Sequence, residues 1–229
     1  MIQLADDVHL IPLFPRYAVN AYLVGTVLID AGVRSSRTKI LKALQGRELT
    51  AHALTHAHPD HQGASAAVCR ERFVPFWCGE ADVEAAESGH VTGTMPNPGG
   101  FVARTMEKLW AGPGCPVDHA LKEDDEVAGF QVLETPGHTP GHLAFWRESD
   151  RVLILGDVLN SMNLLTTIPG LQEPPGAFTQ DPEENRRSIQ RLVALEPELT
   201  CLGHGPPVRG SEELLELAAG LSADTPDTP

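Results

Sequence analysis

Four side chains that can bind metal crowd into the six residues from His56 to His61, in the order Thr55-His56-Ala57-His58-Pro59-Asp60-His61. Imidazole is the commonest biological metal ligand, and a carboxylate beside it suits a divalent cation. Burying His56, His58, Asp60 and His61 together is costly unless a cation compensates them. Four ligands from one short loop cannot easily converge on a single tetrahedral centre. The run is therefore expected to serve two ions, and a two-metal centre points to hydrolysis. A His-rich tag or surface metal trap is the competing reading. It is disfavoured because the run is internal and interleaved with Ala, Pro and Asp. The run also follows the apolar residues 51–54, which read as a buried strand leading into the site.

Three further stretches can complete such a centre. Thr135-Pro136-Gly137-His138-Thr139-Pro140-Gly141-His142 combines glycines and prolines in a tight turn that can fix His138 at a strand end. Asp157 follows Gly156 and the apolar residues 152–155. His204 lies between Gly203 and Gly205, ahead of Pro206-Pro207.

The elements that must position these residues form two similar halves. Residues 22–24 and 27–29, joined by Gly25-Thr26, read as a hairpin ending in Asp30. A helix follows, capped by Ser35 or Ser36, with Ile40, Leu41 and Leu44 on its apolar face and Gly46 as its stop. Residues 51–55 then form a strand delivering His56 and His58, and Asp60 and His61 open the next helix, whose small face is Ala64, Ala66, Ala67 and Val68. In the second half, 143–146 and 152–155 form a hairpin ending in Gly156-Asp157. Asp181 caps a helix with Pro182 at its first position and Glu184 completing a capping box. Ile189, Leu192 and Val193 are its apolar positions, and 199–202 is a strand ending at His204. Each half thus reads hairpin, Asp, helix, strand, His. Strands alternating with helices predict two sheets packed face to face, with ligands at strand ends. Residues 80–116, rich in Gly, Pro and Thr between weak helical stretches at 82–87 and 101–110, read as an insertion bordering the site. Residues 1–222 read as one domain, with a disordered tail at 223–229.

The 229 residues suffice for one large core, and 41% are hydrophobic. The formal net charge of −14 and the scarcity of clustered Lys and Arg argue against a nucleic-acid partner. No apolar run reaches membrane-helix length, and the first ten residues hold Asp6 and Asp7 with no basic n-region. The expectation is a cytoplasmic protein acting on a small molecule, with no membrane partner. Cys69, Cys78, Cys115 and Cys201 form no CxxC pair and read as reduced structural thiols, with catalysis by Cys115 a minor alternative.

Taken together, the HxHxDH run, the PGHTPGH turn, the Gly-Asp after a strand and the late Gly-His-Gly-Pro resemble, in order, the metallo-β-lactamase-fold hydrolase superfamily. The match spans about Asp30 to His204. The resemblance implies an α+β fold (an αββα sandwich of two mixed sheets with helices outside). It implies that His56, His58 and His138 hold one ion, that Asp60, His61 and His204 hold a second, and that Asp157 bridges them. Two divalent ions are implied, zinc first, with manganese or iron as substitutes. A metal-bridging hydroxide would attack an ester, thioester or lactone, and Asp60, oriented on that hydroxide, would be the catalytic carboxylate. Asp30 matches an acidic position that supports the histidine loop. His142 resembles a structural residue, His52 reads as a core or surface histidine, and His9, His90 and His119 have no companion motif.

Departures from the family narrow the choice. β-Lactamases of this fold carry Cys or Ser where Asp157 stands and are normally exported. Glyoxalase II is similar at the metal positions but carries a helical glutathione-contacting domain after the last histidine, where only 25 residues remain here. Acyl-homoserine lactonases often carry Tyr three positions past the bridging Asp, where this chain has Asn160. The tRNA-processing relatives bind a large anion, which the net charge disfavours. Two alternatives to the hydrolase are a persulfide dioxygenase-like oxidoreductase with one iron on His56, His138 and Asp157, and a metal-binding scaffold without turnover. Phe101, Trp110, Met162 and Leu164 are candidates for a substrate-pocket wall.

Overall fold

The computed structural model describes residues 1–223. Seven strands follow one another in space as in sequence to make the first sheet. They are β1 (Ile2–Gln3), β2 (Val8–Pro12), β3 (Asn20–Val24), β4 (Val27–Ile29), β5 (Ala51–Ala53), β6 (Phe76–Gly79) and β7 (His119–Leu121). The strands from β1 to β4 pair antiparallel and those from β4 to β7 pair in parallel. The chain then enters the second sheet with β8 (Glu126–Val127), β9 (Phe130–Glu134), β10 (Leu143–Arg147) and β11 (Val152–Gly156). It leaves for a two-stranded ribbon, β12 (Asn160–Met162) with β13 (Pro169–Gln172), and returns as β14 (Leu199–Leu202) and β15 (Val208–Arg209). The second sheet is ordered β15-β14-β11-β10-β9-β8, and only its β11–β14 pair is parallel. Both sheets are therefore mixed.

The helices lie outside the two sheets. They are α1 (Arg37–Ala43), α2 (Pro59–Gln62), α3 (Ser65–Arg72), α4 (Val83–Ser88), α5 (Phe101–Leu109), α6 (Pro182–Val193) and α7 (Glu212–Ala223). Alternation along the strands divides the core. Tyr22, Val24, Val27 and Ile29 face Phe130, Val132, Phe145, Val152 and Ile154 between the sheets. The opposite face of the first sheet, Ala21, Leu23 and Leu28, packs on Ile40 and Leu44 of the α1 region and Val68 of α3. That of the second, Ala144, Trp146, Leu153 and Leu155, packs on Ile189, Leu192 and Val193 of α6 and Leu214 of α7. Helix, sheet, sheet and helix form the αββα sandwich. Strand β11 is buried on both faces along its whole length, which accounts for its unbroken apolar reading.

The repeat expected from the sequence is present in the strands. Hairpin β3–β4 ends at Asp30 and β4 runs parallel to β5, whereas hairpin β10–β11 ends at Asp157 and β11 runs parallel to β14.

Four local expectations are corrected. Strand β5 ends at Ala53 rather than Thr55, because the Thr55 N–H turns away to the Asp30 carboxylate. The helix expected from Asp60 onward is broken into α2 and α3 at Gly63, where the backbones of residues 33, 34 and 110 press so close that no Cβ would fit. Ser36 does not cap α1. A 3-10 turn, Arg34–Ser36, runs straight into that helix and gives Ser36 helical dihedrals, so its hydroxyl cannot reach forward. Asp181 does cap α6, accepting from the Glu184 N–H at 3.0 Å. Glu184 does not complete the box, because the Asp181 N–H already bonds Gly137 O and the Glu184 carboxylate pairs with Arg187. Of the tail expected at 223–229, Ala223 ends α7 and the remainder lies outside the described residues.

Candidate metal centre

Carboxyl ends of strands from both sheets bring the candidate ligands together. His56 and His58 lie in the loop leaving β5, and Pro59 at the first position of α2 places Asp60 and His61 in the following turn. His138 sits in the turn after β9, Asp157 directly follows β11, and His204 follows β14. All are buried except Asp60, whose side chain is 13% exposed. Ligand atoms within 4.8 Å of one another form three groups: His56, His58 and His138; Asp60, His61 and His204; and His56, His61 and Asp157. The seven residues expected from the sequence are thus all brought together. His9, His90 and His119 enter none of these groups.

In the first group, His58 Nδ1 lies 3.1 Å from His56 Nε2 and 3.0 Å from His138 Nε2. In the second, His204 Nε2 lies 3.3 Å from Asp60 Oδ2. Asp157 stands between them. Its Oδ2 is 3.0 Å from His204 Nε2 and 3.7 Å from His138 Nε2, and its Oδ1 is 3.4 Å from His61 Nε2.

Hydrogen bonds behind the rings assign which nitrogen each presents. Thr55 Oγ1 donates to Asp30 Oδ2 at 2.9 Å and therefore accepts from His56 Nδ1–H at 3.0 Å. His61 Nδ1–H donates to Asp30 Oδ2 at 2.9 Å. Thr179 Oγ1 donates to Pro175 O and accepts from His138 Nδ1–H at 3.1 Å. His204 Nδ1–H donates to the Ala18 carbonyl at 2.5 Å. Each of these four rings thus turns its Nε2 inward, the orientation that partners behind a metal-binding histidine impose. Lone pairs facing one another and facing carboxylates need a cation or a proton between them. His61 Nε2 and Asp157 Oδ1 are buried with no hydrogen-bond partner, as is His58 Nε2. This donor set fits two divalent cations of the N/O-binding type.

The titration behaviour divides the same way. Burial, reinforced by the neighbouring imidazoles, holds His56 and His138 well below the ordinary histidine value, and burial takes His58 down to about 4. Burial works against the charged forms of His61 and His204 too. The carboxylates outweigh it, raising His61 well above its usual value through Asp157 and Asp30, and His204 to about 10 through Asp157 and Asp60. Burial would raise both acids, yet Asp157 and Asp60 are held low by His204 and His61. Without metal, protons therefore occupy the second group, where cations are the natural replacement.

Three supports surround the ligands. Asp30, expected as a support, holds Thr55 and His61 as described. His142, also expected to be structural, turns neither ring nitrogen toward the centre: its Nδ1–H donates to Thr135 Oγ1 at 2.8 Å, and its Nε2 accepts the Asp157 N–H at 3.1 Å. Asp82 was not anticipated. Its buried carboxylate accepts from Ala57 N and Gly141 N at 2.8 Å and from Thr139 Oγ1 at 2.7 Å, clamping the His56–His58 loop to the His138 turn. Nothing in its sequence context marks it, since its partners lie 25 or more residues away. His52 is a core histidine, bonded to Leu28 O and Ser65 Oγ. All four cysteines are buried and free of disulfides.

A cavity of about 330 Å³ opens over the ligands, with His58, Asp60, His138, Asp157 and His204 in its lining. Trp110 and Leu164, expected as wall residues, line it, whereas Phe101 and Met162 do not. Phe101 projects from α5 into solvent and Met162 is buried in β12. Among the lining residues that sequence reasoning missed, Phe14, Met95 and Phe178 come from loops whose spacing carries no periodic signal, and Met106 comes from α5, whose apolar stripe is only partial. Within 80–116, Met95, Met106 and Trp110 reach this cavity. No helix among the described residues is long and apolar enough to cross a membrane.

The chain is similar in sequence and fold to known proteins. The family model of the Metallo-beta-lactamase superfamily matches residues 15–204. A probable metallo-hydrolase of Bacillus subtilis (strain 168), YflN, is 34% identical over 224 residues, covering 86% of this chain and 83% of that protein. A hydroxyacylglutathione hydrolase of Fuscovulum blasticum is 32% identical over 184 residues, covering 78% of this chain but only 57% of that protein. Among solved structures, TTHA1623 in a di-iron-bound form superposes with a TM-score of 0.66 at 33% identity, covering 95% of this chain and 98% of the other.

Proposed function

From the premise that this chain belongs to the metallo-beta-lactamase superfamily, we propose that it is a binuclear metal-dependent hydrolase of esters, thioesters or lactones. The observation that carries the proposal is the pair of ligand groups with Asp157 between them and imidazole Nε2 atoms turned inward. His56, His58 and His138 would hold one ion, Asp60, His61 and His204 the other, and Asp157 would reach both. A pair of divalent cations bound there supplies Lewis-acid polarisation of a carbonyl and lowers the pKa of a water.

The chain's own residues do the rest. Asp60 lines the cavity beside His204 and is placed to accept, on a carboxylate oxygen, a hydrogen bond from an attacking water and so to orient it. His142 fixes the backbone of Asp157, and Asp30 fixes His61. Apolar side chains such as Phe14, Met106, Trp110 and Phe178 line much of the cavity, and lowered local polarity strengthens charge interactions there. Zinc is the first expectation for both ions, and the di-iron relative supports iron as its chief competitor.

Elemental analysis of the purified protein, followed by an ester, thioester and lactone panel, tests the proposal. Two ions per chain are expected, with turnover lost in Asp157→Ala. One iron per chain together with oxygen consumption on glutathione persulfide would instead establish the mononuclear oxidoreductase. Two bound ions without turnover of any substrate would leave a metal-binding scaffold.

A further inference from the structure

Resting on that hydrolase reading, we infer that the substrate is uncharged, a neutral ester or thioester whose apolar chain lies in the cavity and whose carbonyl end meets Asn160. Four separate segments supply the walls. Phe14 comes from the loop before β3, Met106 and Trp110 from α5 and its end, Leu164 from the β12–β13 connection, and Phe178 from the approach to α6. No Lys or Arg is among the lining residues. Of the cations close to these loops, Arg16 donates to Thr167 Oγ1 at 2.8 Å and Lys39 to the Leu13 carbonyl at 3.1 Å. An anionic substituent held against these apolar walls, away from the metal-binding end, would lose its hydration and gain no cationic partner. Glutathione thioesters carry carboxylates and are disfavoured on that ground.

The polar end is marked by a separate observation. Asn160 is fully buried, lines the cavity, and has no hydrogen-bond partner at either its amide nitrogen or its amide oxygen. Buried polar groups in proteins are nearly always paired, so an unpaired carboxamide on a cavity-lining residue points to a ligand. A carboxamide both donates and accepts without net charge, and so suits an ester carbonyl or an adjacent amide. A few placed polar groups within apolar walls are the usual composition of a small-molecule site.

Two assays on the metal-loaded protein test the inference. In the first, kcat/KM is measured for p-nitrophenyl acetate, butyrate and hexanoate, and for hexanoyl thioesters of neutral N-acetylcysteamine and of glutathione. The expected result is a rise of about fourfold per added methylene until the cavity is full, and at least a tenfold preference for the N-acetylcysteamine thioester. The second needs no turnover: calorimetric titration with butanamide, pentanamide and hexanamide should show the same fourfold steps in Kd. Asn160→Leu should weaken amide binding about tenfold. Leu164→Lys, at a half-buried loop position, should abolish the preference against glutathione. A preference for the glutathione thioester, or a flat chain-length series in wild-type protein, overturns the inference and leaves the hydrolase reading intact. Chain-length-dependent amide binding without turnover of any ester overturns the hydrolase reading and leaves the pocket assignment standing.

Discussion

Asp30 concentrates more of the site on one side chain than any ligand does. Its carboxylate accepts from Thr55 N, Thr55 Oγ1 and His61 Nδ1, and through Thr55 it also orients His56. Asp30→Asn keeps the shape but places an amide N–H where an acceptor is required. Metal affinity should fall by about 10–100-fold, the usual effect of losing a partner behind a ligating histidine. Chelator competition measures it, and unchanged affinity would remove Asp30 from the support of the centre. Proton competition gives a second test at this scale. His56, His58 and His138 are held low and are already neutral at pH 7, whereas His61 and His204 are held high and carry protons. Metal entering the second group must displace those protons, so affinity there should rise with pH by up to about tenfold per unit for each proton released, from pH 6 toward 9. Binding isotherms at pH 6, 7 and 8 measure the slope, and a flat series contradicts the assignment. The seven ligand-type residues were legible because their types and spacing are themselves the signal. Asp82 was not, since a lone acid acquires meaning only from partners folded against it, and neither was the role of Asn160, which shows only in the cavity it lines and the hydrogen bonds it lacks.

Elements place these residues by the same device twice: a hairpin ends in Asp, a parallel strand ends in His, and backbone fills the space between. Gly203 marks how closely the second copy is built. A Cβ there would fall within clashing distance of Asp157 Oδ1 and His61 Cε1. Gly203→Ala should therefore displace Asp157 and reduce occupancy of both ligand groups while leaving the sandwich folded. Metal content and circular dichroism on the same sample separate these outcomes, and full occupancy would show that the β14 end can yield. Helix α6 takes part as well, because the Gln180 and Asp181 N–H groups bond the His138 and Gly137 carbonyls, tying the helix start to the ligand turn. Asp181→Ala removes the cap and should cost about 1 kcal/mol of stability, read from denaturant midpoints. The hairpins, α6 and β14 were readable from periodicity and caps. The break between α2 and α3 was not, because Gly63 is read as a helix interruption only once residues 33, 34 and 110 are packed on it.

Across the whole molecule, the two-sheet sandwich buries histidines that must stay neutral. The composition pattern foretold two faced sheets but could not say which histidines the core would enclose. His52 is one: it is fully buried beneath α3, donates to Leu28 O at 3.0 Å and accepts from Ser65 Oγ at 2.7 Å. Burial, the dominant cause, lowers it to about 4 from an ordinary 6.5. The folded state therefore resists protonation that the unfolded chain accepts. Its contribution is full above pH 6.5 and is lost as pH falls from there toward 4. The difference corresponds to about 3 kcal/mol, at roughly 1.4 kcal/mol per pKa unit. His52→Gln offers a donor and an acceptor but no titration. Urea midpoints of metal-free protein at pH 7, 5.5 and 4 should show wild type losing stability more steeply than the variant, so that any wild-type advantage at pH 7 narrows or reverses by pH 4. Parallel pH profiles for the two proteins would mean that His52 is protonated as readily inside the sandwich as outside it, and that the acid sensitivity of the fold lies with other groups.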